Sequence, residues 1–297
     1  MAKQPRILVG QVAAITGGAR GIGKATAQAF VREGMKVAIG DLDLAAAQAA
    51  AEELGGGTVA FELNVTDRES FERFAAAAEE ALGPLDVLVN NAGIMQLGPF
   101  ADEEDATARR MVDINVHGVL HGMKIALDRF RPRNRGHLVN VASSAGKAGY
   151  AGGATYSGTK HFVVGVSEAV RGELRDTAIE VSCVMPVIVR TELATGLGEA
   201  RGVKSIRPED VAAEIVSALK VTRFDVFVPR SVGPINQVVG ILPRSGRELM
   251  ARALKADQIL SNIDTSARRD YELRAARSEP GLEPGAEPNR LTEPNGS

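Results

Sequence analysis

The chain has 297 residues, a hydrophobic fraction of 44% and a formal net charge of -2 at pH 7. This composition is typical of a globular protein with ample material for a core, and the balanced charge argues against a nucleic-acid partner. The single cysteine, Cys183, excludes an internal disulfide, and the sequence contains neither a signal-peptide pattern nor an apolar run long enough to span a bilayer. We therefore expect a cytoplasmic protein without a transmembrane segment.

The first third of the chain alternates short apolar runs with helical patterns. The apolar runs are QVAAITG, KVAIGD, TVAFELNV and LDVLVNNAG, and the helical patterns between them are KATAQAFVREG, LAAAQAAAEEL and RESFERFAAAAEEALG. Gly34 and Gly83 stand where two of these helices are expected to end. This alternation predicts right-handed crossovers and an α/β fold with a parallel sheet covered by helices on both faces.

The middle of the chain continues the same alternation. A long helical pattern covers residues 105–130, and the strand pattern HLVNVAS, a helix to about residue 176 and the strand pattern IEVSCVMP follow. The sequence RPED, with proline and acids in the first turn, then opens another helix, and DVFVPR is the last predicted strand. We predict one domain over residues 6–230.

The C-terminal part has a different pattern. Ser245 and Glu248 form a capping-box signal before an apolar periodicity, which predicts one amphipathic helix within an extension of residues 231–265. Its arginines leave membrane contact open, but packing on a partner subunit or over a substrate pocket is favoured. Residues 266–297 end in a stretch rich in proline, glycine and glutamate, so we predict a disordered tail.

A glycine-rich turn, TGGARGIG at residues 16–23, joins the first strand to the first helix. Glycines there allow a tight turn and let the backbone approach a pyrophosphate, whose charge is favoured by the helix N-terminus. An acid, Asp41, ends the second strand, where a carboxylate can accept hydrogen bonds from a ribose. The turn and this acid predict a dinucleotide site. Its candidate residues are Thr16, Gly17, Arg20, Gly21, Ile22, Gly23 and Asp41.

The sequence YSGTK places Tyr156 and Lys160 four residues apart at the start of a predicted helix. Residues at this spacing are neighbours on a helix, so the ammonium group can favour the ionised phenol. The pair could therefore transfer a proton near neutral pH, although a surface Tyr and Lys at this spacing are also common.

Five motifs occur together and in order: TGGARGIG, NNAG at residues 90–93, Asn115 in MVDINVHG, Ser143 in VNVASSAG, and YSGTK. In this combination the chain resembles the short-chain dehydrogenase/reductase family over about residues 7–230. The resemblance implies a Rossmann-type doubly wound sheet. It also implies an oxidoreductase that transfers a hydride between NAD(P) and a secondary alcohol or ketone.

The resemblance also implies roles for individual residues. Tyr156 would be the general acid/base, Lys160 would lower its pKa and hold the nicotinamide ribose, Ser143 would hydrogen-bond the substrate oxygen, and Asn115 would support a proton relay. Besides Tyr156 and Lys160, further cofactor contacts are implied for Asn64, Val65, Asn91, Ala92, Gly93, Pro186, Ile188 and Thr191. The chain departs from the family at Asn64, where aspartate is common, and at Val187, where glycine usually follows the proline.

Cofactor choice depends on two opposed side chains. Asp41 favours the ribose 2′-hydroxyl of NAD, whereas Arg20 could pair with the 2′-phosphate of NADP. No second basic residue follows Asp41, so we predict NAD, with NADP disfavoured.

The substrate is expected to be lipophilic. The residues that suggest it are Met95, Leu97, Tyr150, Val187 and Ile188, with residues 191–205 as a lid. The resemblance further implies a homodimer or homotetramer. No metal is expected, because His117 and His121 have the spacing of a ligand pair but no third ligand. The alternative function is a catalytically silent sensor or scaffold that binds a dinucleotide, and the intact catalytic set argues against it.

Overall fold

A computed structural model describes residues 5–197, 204–253, 260, 263–276 and 278. Within these residues, seven strands form one parallel sheet in the order β3-β2-β1-β4-β5-β6-β7. The strands are β1 Val12–Thr16, β2 Lys36–Asp41, β3 Val59–Glu62, β4 Leu85–Asn90, β5 Gly136–Val141, β6 Ile179–Pro186 and β7 Asp225–Val228. The chain runs outward from β1 to β3 and then returns to place β4 beside β1, so the strand order reverses there. Such a reversal opens a crevice at the carboxyl ends of the strands.

Helices cover both faces of the sheet. They are α1 Gly21–Arg32, α2 Leu44–Leu54, α3 Arg68–Leu82, α4 Asp105–Val112, α5 Gly118–Phe130, α6 Ala154–Glu173 and α7 Pro208–Lys220. Successive strand residues alternate between two cores, because Ala14 packs with α3, α5 and α6 on one face while Ile15 packs with α1, α2 and α7 on the other. This arrangement confirms the predicted doubly wound α/β fold.

Local sequence fixes several helix ends. Asp43 accepts a hydrogen bond from Ala46 N at the start of α2, and Asp67 accepts one from Glu69 N at the start of α3. Gly34 and Gly83, at the ends of α1 and α3, have φ of 75° and 106°, which favours glycine. The helix ends expected at these glycines are therefore confirmed.

The helix expected over residues 105–130 is not uniform. A π-helical turn, Asp113–His117, separates α4 from α5. At its centre the Asn115 side chain leaves the helix surface to bond the backbone of Ile94, accepting from its N and donating to its O, each at 2.9 Å. An extra residue in the turn is a common feature of functional sites.

In its described residues the C-terminal region contains three helices, where the sequence predicted one. They are α8 Val232–Ile241, α9 Arg244–Ala253 and α10 Thr265–Ala276. Helix α9 begins one residue before the expected cap Ser245, and an ion pair of 3.0 Å joins Arg244 to Glu248 in its first turn. No helix among the described residues is long and apolar enough to span a membrane.

The prediction of a disordered tail from residue 266 is wrong for its first part, because α10 is helical to Ala276. The sequence pattern did not reveal this helix because its inward face consists of the buried Arg268 and Ala275 and the partly buried Tyr271, which do not form an apolar stripe. Residue 277 and residues 279–297, which carry the rest of that prediction, lie outside the described part of the chain.

Candidate active site

A cavity of about 1780 Å³ opens at the carboxyl ends of the central strands, at the reversal of strand order. It brings together most of the residues singled out from the sequence. Those that line it are Gly17, Arg20, Gly21, Ile22, Asp41, Asn64, Val65, Asn91, Ala92, Gly93, Ser143, Tyr156, Lys160, Pro186, Ile188 and Thr191. Three other candidate residues, Thr16, Gly23 and Asn115, do not line the cavity but lie directly behind the residues that do.

The glycine-rich turn between β1 and α1 is built for close approach. Gly17 and Gly21 have φ of 63° and 54°, and a Cβ on Gly23 would lie only 2.1 Å from Gly17 O. Thr16 Oγ1 accepts hydrogen bonds from Asn91 N at 3.0 Å and Ala92 N at 2.9 Å, which ties this turn to the end of β4. The glycines therefore leave backbone exposed to the cavity at the start of α1, which fits the pyrophosphate of a dinucleotide.

Asp41 stands at the tip of β2, beside the glycine turn. Its Oδ2 accepts a hydrogen bond from Ala19 N at 3.1 Å and its Oδ1 accepts one from Asp43 N at 3.2 Å. Arg20 reaches past it to pair with Asp43, with 2.6 Å between Nη2 and Oδ2. This hydrogen bond from Arg20 lowers the pKa of Asp43 and raises that of Arg20. The guanidinium is therefore paired with Asp43, and the nearby charge of Asp41 adds to this effect on its pKa.

Asn64 follows β3, and its side-chain carbonyl oxygen is hydrogen-bonded within the protein. Its Oδ1 accepts hydrogen bonds from Thr66 N at 3.1 Å and Thr66 Oγ1 at 2.8 Å. With that oxygen engaged, the amide group is the donor available to a ligand in the cavity. An aspartate in this position could only accept.

Tyr156 and Ser143 meet across the cavity. Ser143 follows β5 and its Oγ accepts a hydrogen bond from Ala145 N at 3.1 Å, while Tyr156 lies in the first turn of α6 and is 6% exposed. Burial raises the pKa of Tyr156 to about 12, and a hydrogen bond with Ser143 works in the opposite direction. The neighbouring Ser144 instead bonds Tyr150.

Lys160 lies one turn beyond Tyr156, with its Nζ 5.8 Å from the centre of the phenol ring. The ammonium donates a hydrogen bond to Val141 O at 3.0 Å, and burial lowers its pKa to about 8. A Cβ on Gly93 would lie 3.1 Å from Asn115 Oδ1 and 3.6 Å from Lys160 Nζ, so these three residues converge behind the tyrosine. Tyr156 and Lys160 therefore lie on neighbouring turns of α6, and the effect of Lys160 on the phenol stays a prediction.

The wall next to Tyr156 is largely apolar. Met95, Tyr150, Val187 and Ile188 line the cavity as expected. Leu97 is not among the lining residues and packs against the core instead. Within the predicted lid of residues 191–205, Thr191–Leu197 borders the cavity, while residues 198–203 lie outside the described residues.

The sequence did not identify α10 as part of the site. Tyr271, Arg274 and Ala275 line the cavity, and Arg274 Nη2 pairs with Glu192 Oε2 at 2.6 Å. Arg268 is 2% exposed and anchors the helix. The only sequence signal was the spacing of Arg268, Tyr271 and Ala275 along one helix face.

The two histidines of the i, i+4 pair, His117 and His121, have different surroundings. His121 Nδ1 lies 3.1 Å from Val65 O and His117 is exposed. Among the described residues, no group of three or more His, Cys, Asp or Glu side chains could hold a metal ion.

A doubly wound sheet with a glycine turn at its first crossover, and with Ser, Tyr and Lys across the same crevice, is the arrangement of a dinucleotide-dependent oxidoreductase. Residues 11–202 match the family described as short chain dehydrogenase. The chain belongs to the short-chain dehydrogenase/reductase family.

Characterised relatives support this assignment. The chain is 39% identical over 186 residues to sorbitol dehydrogenase from Cereibacter sphaeroides, covering 62% of this chain and 73% of that protein. It is 38% identical over 196 residues to (+)-borneol dehydrogenase 2 from Salvia officinalis, covering 64% and 69%. It is also 36% identical over 225 residues to glycine betaine reductase ATRR from Emericella nidulans, covering 72% of this chain but only 18% of that longer protein.

A solved structure shows the same fold. The short-chain dehydrogenase/reductase from Burkholderia phymatum in complex with NAD superposes with a TM-score of 0.72 at 25% identity, covering 78% of this chain and 93% of that one. An NAD(P)-dependent oxidoreductase is therefore the general activity that fold, site and relatives support.

Proposed function

We propose that this protein is an NAD(H)-dependent dehydrogenase or reductase that interconverts a lipophilic secondary alcohol and its ketone. The observation that carries the proposal is that Ser143, Tyr156 and Lys160 line the same cavity as the glycine turn and Asp41. A bound nicotinamide would accept the hydride from the alcohol carbon or return it to the ketone.

The chain's own residues handle the proton. Ser143 holds the substrate oxygen next to the Tyr156 hydroxyl, which takes the alcohol proton during oxidation and returns it during reduction. A buried phenol with a pKa of about 12 is protonated at neutral pH and so cannot accept the proton of the alcohol. The positive charges of Lys160 and of an oxidised nicotinamide would favour the phenolate. Asn115 fixes the backbone of Ile94 and thereby the segment after β4 that carries Gly93.

The substrate preference is inferred from the wall next to Tyr156. Met95, Val187 and Ile188 present apolar side chains, and Leu193 and Leu260 add to them from the C-terminal side. A pocket of this kind binds an apolar skeleton through surface burial and orients it by a few polar groups. The borneol dehydrogenase relative, whose name denotes a terpenoid alcohol, supports the same class.

The cofactor preference follows from the group at the tip of β2. A 2′-phosphate there would face the Asp41 carboxylate and lose the bonds that a ribose hydroxyl makes. Arg20, which could offset this repulsion, is already paired with Asp43. We therefore propose NAD(H) over NADP(H).

Two properties of the whole protein belong to this proposal. The buried thiol of Cys183 in β6 suits a reducing compartment, so we place the protein in the cytoplasm. The family resemblance supports a homodimer or homotetramer through the long helices.

The experiment is a comparison of kcat/KM for NAD(H) and NADP(H) over a panel of secondary alcohols and ketones. The parent protein should favour NAD(H) and lipophilic substrates. Asp41→Ala should weaken the use of NAD(H) and narrow or reverse the preference, whereas Asp43→Ala, which releases Arg20, should improve the use of NADP(H). A parent that prefers NADP(H), or that accepts only charged or sugar substrates, would contradict the proposal.

A further inference from the structure

Helix α10 is hydrogen-bonded to the cavity wall through the backbone N–H and C=O groups of Met95. Met95 N donates a hydrogen bond to Tyr271 Oη at 2.7 Å, and Arg268 Nη2 donates one to Met95 O at 2.7 Å. Arg268 Nη1 also donates to Leu193 O at 2.8 Å and to Thr195 O at 3.0 Å. The guanidinium thus joins the two loops that border the substrate side of the cavity, and Tyr271 is fixed between them.

The fit of this segment against the loops is close. A Cβ on Gly196, whose φ is 76°, would lie 2.6 Å from Asp264 O and 3.1 Å from Arg268 Cγ. A Cβ on Gly153 would lie 2.7 Å from Leu260 Cδ1. The C-terminal segment is therefore a built wall of the cavity.

Tyr271 brings a polar group into that wall. Its ring lies against the guanidinium of Arg268, at 4.9 Å, and it lines the same cavity as Tyr156. Burial keeps the Tyr271 phenol protonated by raising its pKa. The neighbouring Met95, Leu193 and Leu260 are apolar.

The remaining question about Tyr271 is which atom accepts the hydrogen of its hydroxyl group. The oxygen already accepts from Met95 N, and among the described residues no atom accepts the hydroxyl hydrogen. A hydroxyl has one hydrogen to donate, and leaving it without an acceptor in an apolar wall is unfavourable.

We propose that Tyr271 donates this hydrogen bond to a second oxygen atom of the substrate, the first being the oxygen held by Ser143 and Tyr156. The preferred substrates are then difunctional, with an apolar skeleton that carries the reacting alcohol or ketone and a second carbonyl, hydroxyl or ether oxygen. This inference rests on the proposed function and adds a substrate class to it.

The test uses matched substrates on one fused-ring skeleton: the monoketone and a series of diketones that differ in the position of the second oxygen. With the full chain and NADH, one diketone should show a KM roughly 3- to 10-fold below that of the monoketone, as expected for one neutral hydrogen bond. A parent protein that shows no such preference for any member of the series would overturn the inference while leaving the proposed function intact.

Tyr271→Phe then separates substrate binding from support of the wall. It should remove the preference by raising the KM of the diketone and leaving that of the monoketone within about twofold. If both KM values rise together, the hydroxyl acts only through Met95 and the inference fails. Tyr150→Phe is the matched control, because that hydroxyl already bonds Ser144 and its loss should keep the ratio of the two KM values. No NAD(P)H-linked turnover of either ketone by the parent would overturn the proposed function and this inference together.

Discussion

Burial and hydrogen bonding oppose each other at Tyr156. Burial raises the pKa of its phenol to about 12, and the hydrogen bond with Ser143 lowers it. Alcohol oxidation needs the phenolate, so Ser143→Ala should raise this pKa further and move the rising limb of the kcat/KM profile to higher pH. The comparison is the pH dependence of oxidation in the parent and the variant. Ser144→Ala is the control, and a profile that moves equally in both variants would contradict the role of Ser143.

The Tyr156 hydroxyl is proposed to transfer the proton, and the ring is proposed only to fill space. Tyr156→Phe keeps the ring, so cofactor binding should stay within about twofold of the parent. Turnover should fall by roughly 10²–10⁴-fold, the usual contribution of a general acid/base. Titration of NADH fluorescence and steady-state kinetics measure the two quantities. Parental turnover in this variant would show that another group moves the proton.

Among the secondary-structure elements, the strands were the easiest to predict. The runs KVAIGD and IEVSCVMP coincide with β2 and β6, because strands buried on both faces are continuous apolar segments. The π-helical turn at Asn115 was not predicted, since it depends on a bond to Ile94, which lies 21 residues earlier in the chain. Sequence periodicity records neighbours along an element and does not record such distant partners.

Helix α10 was missed for a related physical reason. Its buried anchor is Arg268, a residue type that is almost never fully buried unless it is paired. The partners that make burial possible are the carbonyls of Met95, Leu193 and Thr195, between 73 and 173 residues away in the sequence. Composition therefore predicted disorder where tertiary hydrogen bonds produce order. The roles proposed for Ser143, Tyr156 and Lys160, in contrast, come from short motifs, and the three residues line one cavity.

Two truncations test how much α10 contributes. Ending the chain after residue 277 removes the segment of residues 278–297 and should leave kcat/KM within about twofold of the parent. Ending it after residue 263 also removes α10, exposes the carbonyls that Arg268 satisfies and opens the cavity wall. We expect KM for a lipophilic ketone to rise by about tenfold or more, since the packing of Tyr271 and Ala275 and four hydrogen bonds to the cavity loops are lost.

The two truncated chains are matched in preparation and differ mainly in α10. Circular dichroism checks that the sheet domain is intact in both. Equal kinetics of the longer and shorter chains would show that α10 does not form a wall of the substrate site. A large loss in the longer chain would instead show that the final segment, predicted to be disordered, contributes to the active site.

For the protein as a whole, the cofactor cavity joins the two halves of the sheet. The glycine turn and Asp41 belong to the β1–β3 half, while Ser143, Lys160 and Pro186 belong to the β4–β6 half. A dinucleotide bound across the strand-order reversal therefore contacts both halves at once. Because it binds only the folded protein, it must stabilise the fold in proportion to its affinity.

This linkage gives a measurement of cofactor choice that does not depend on turnover. A ligand at 100 times its Kd adds about 2.7 kcal/mol to the free energy of unfolding. For a domain of this size each kcal/mol raises Tm by about 2–4 °C, so NAD should raise Tm by roughly 5–10 °C. NADP at the same concentration should give a smaller shift, because Asp41 repels its 2′-phosphate. Asp41→Ala should narrow the difference, and Tyr156→Phe, as the control, should keep it.

The same measurement separates an enzyme from a silent binding protein. A sensor of this fold would show the NAD-dependent rise in Tm without oxidising or reducing any member of the substrate panel. An enzyme should show both the rise in Tm and turnover of a substrate. Tyr156→Phe should then behave like the sensor, with the rise in Tm but little turnover, because it removes the proton-transfer group and leaves the glycine turn at Gly17 and Gly21 unchanged. A larger rise with NADP than with NAD would show that Arg20, once released from Asp43, governs the site in place of Asp41.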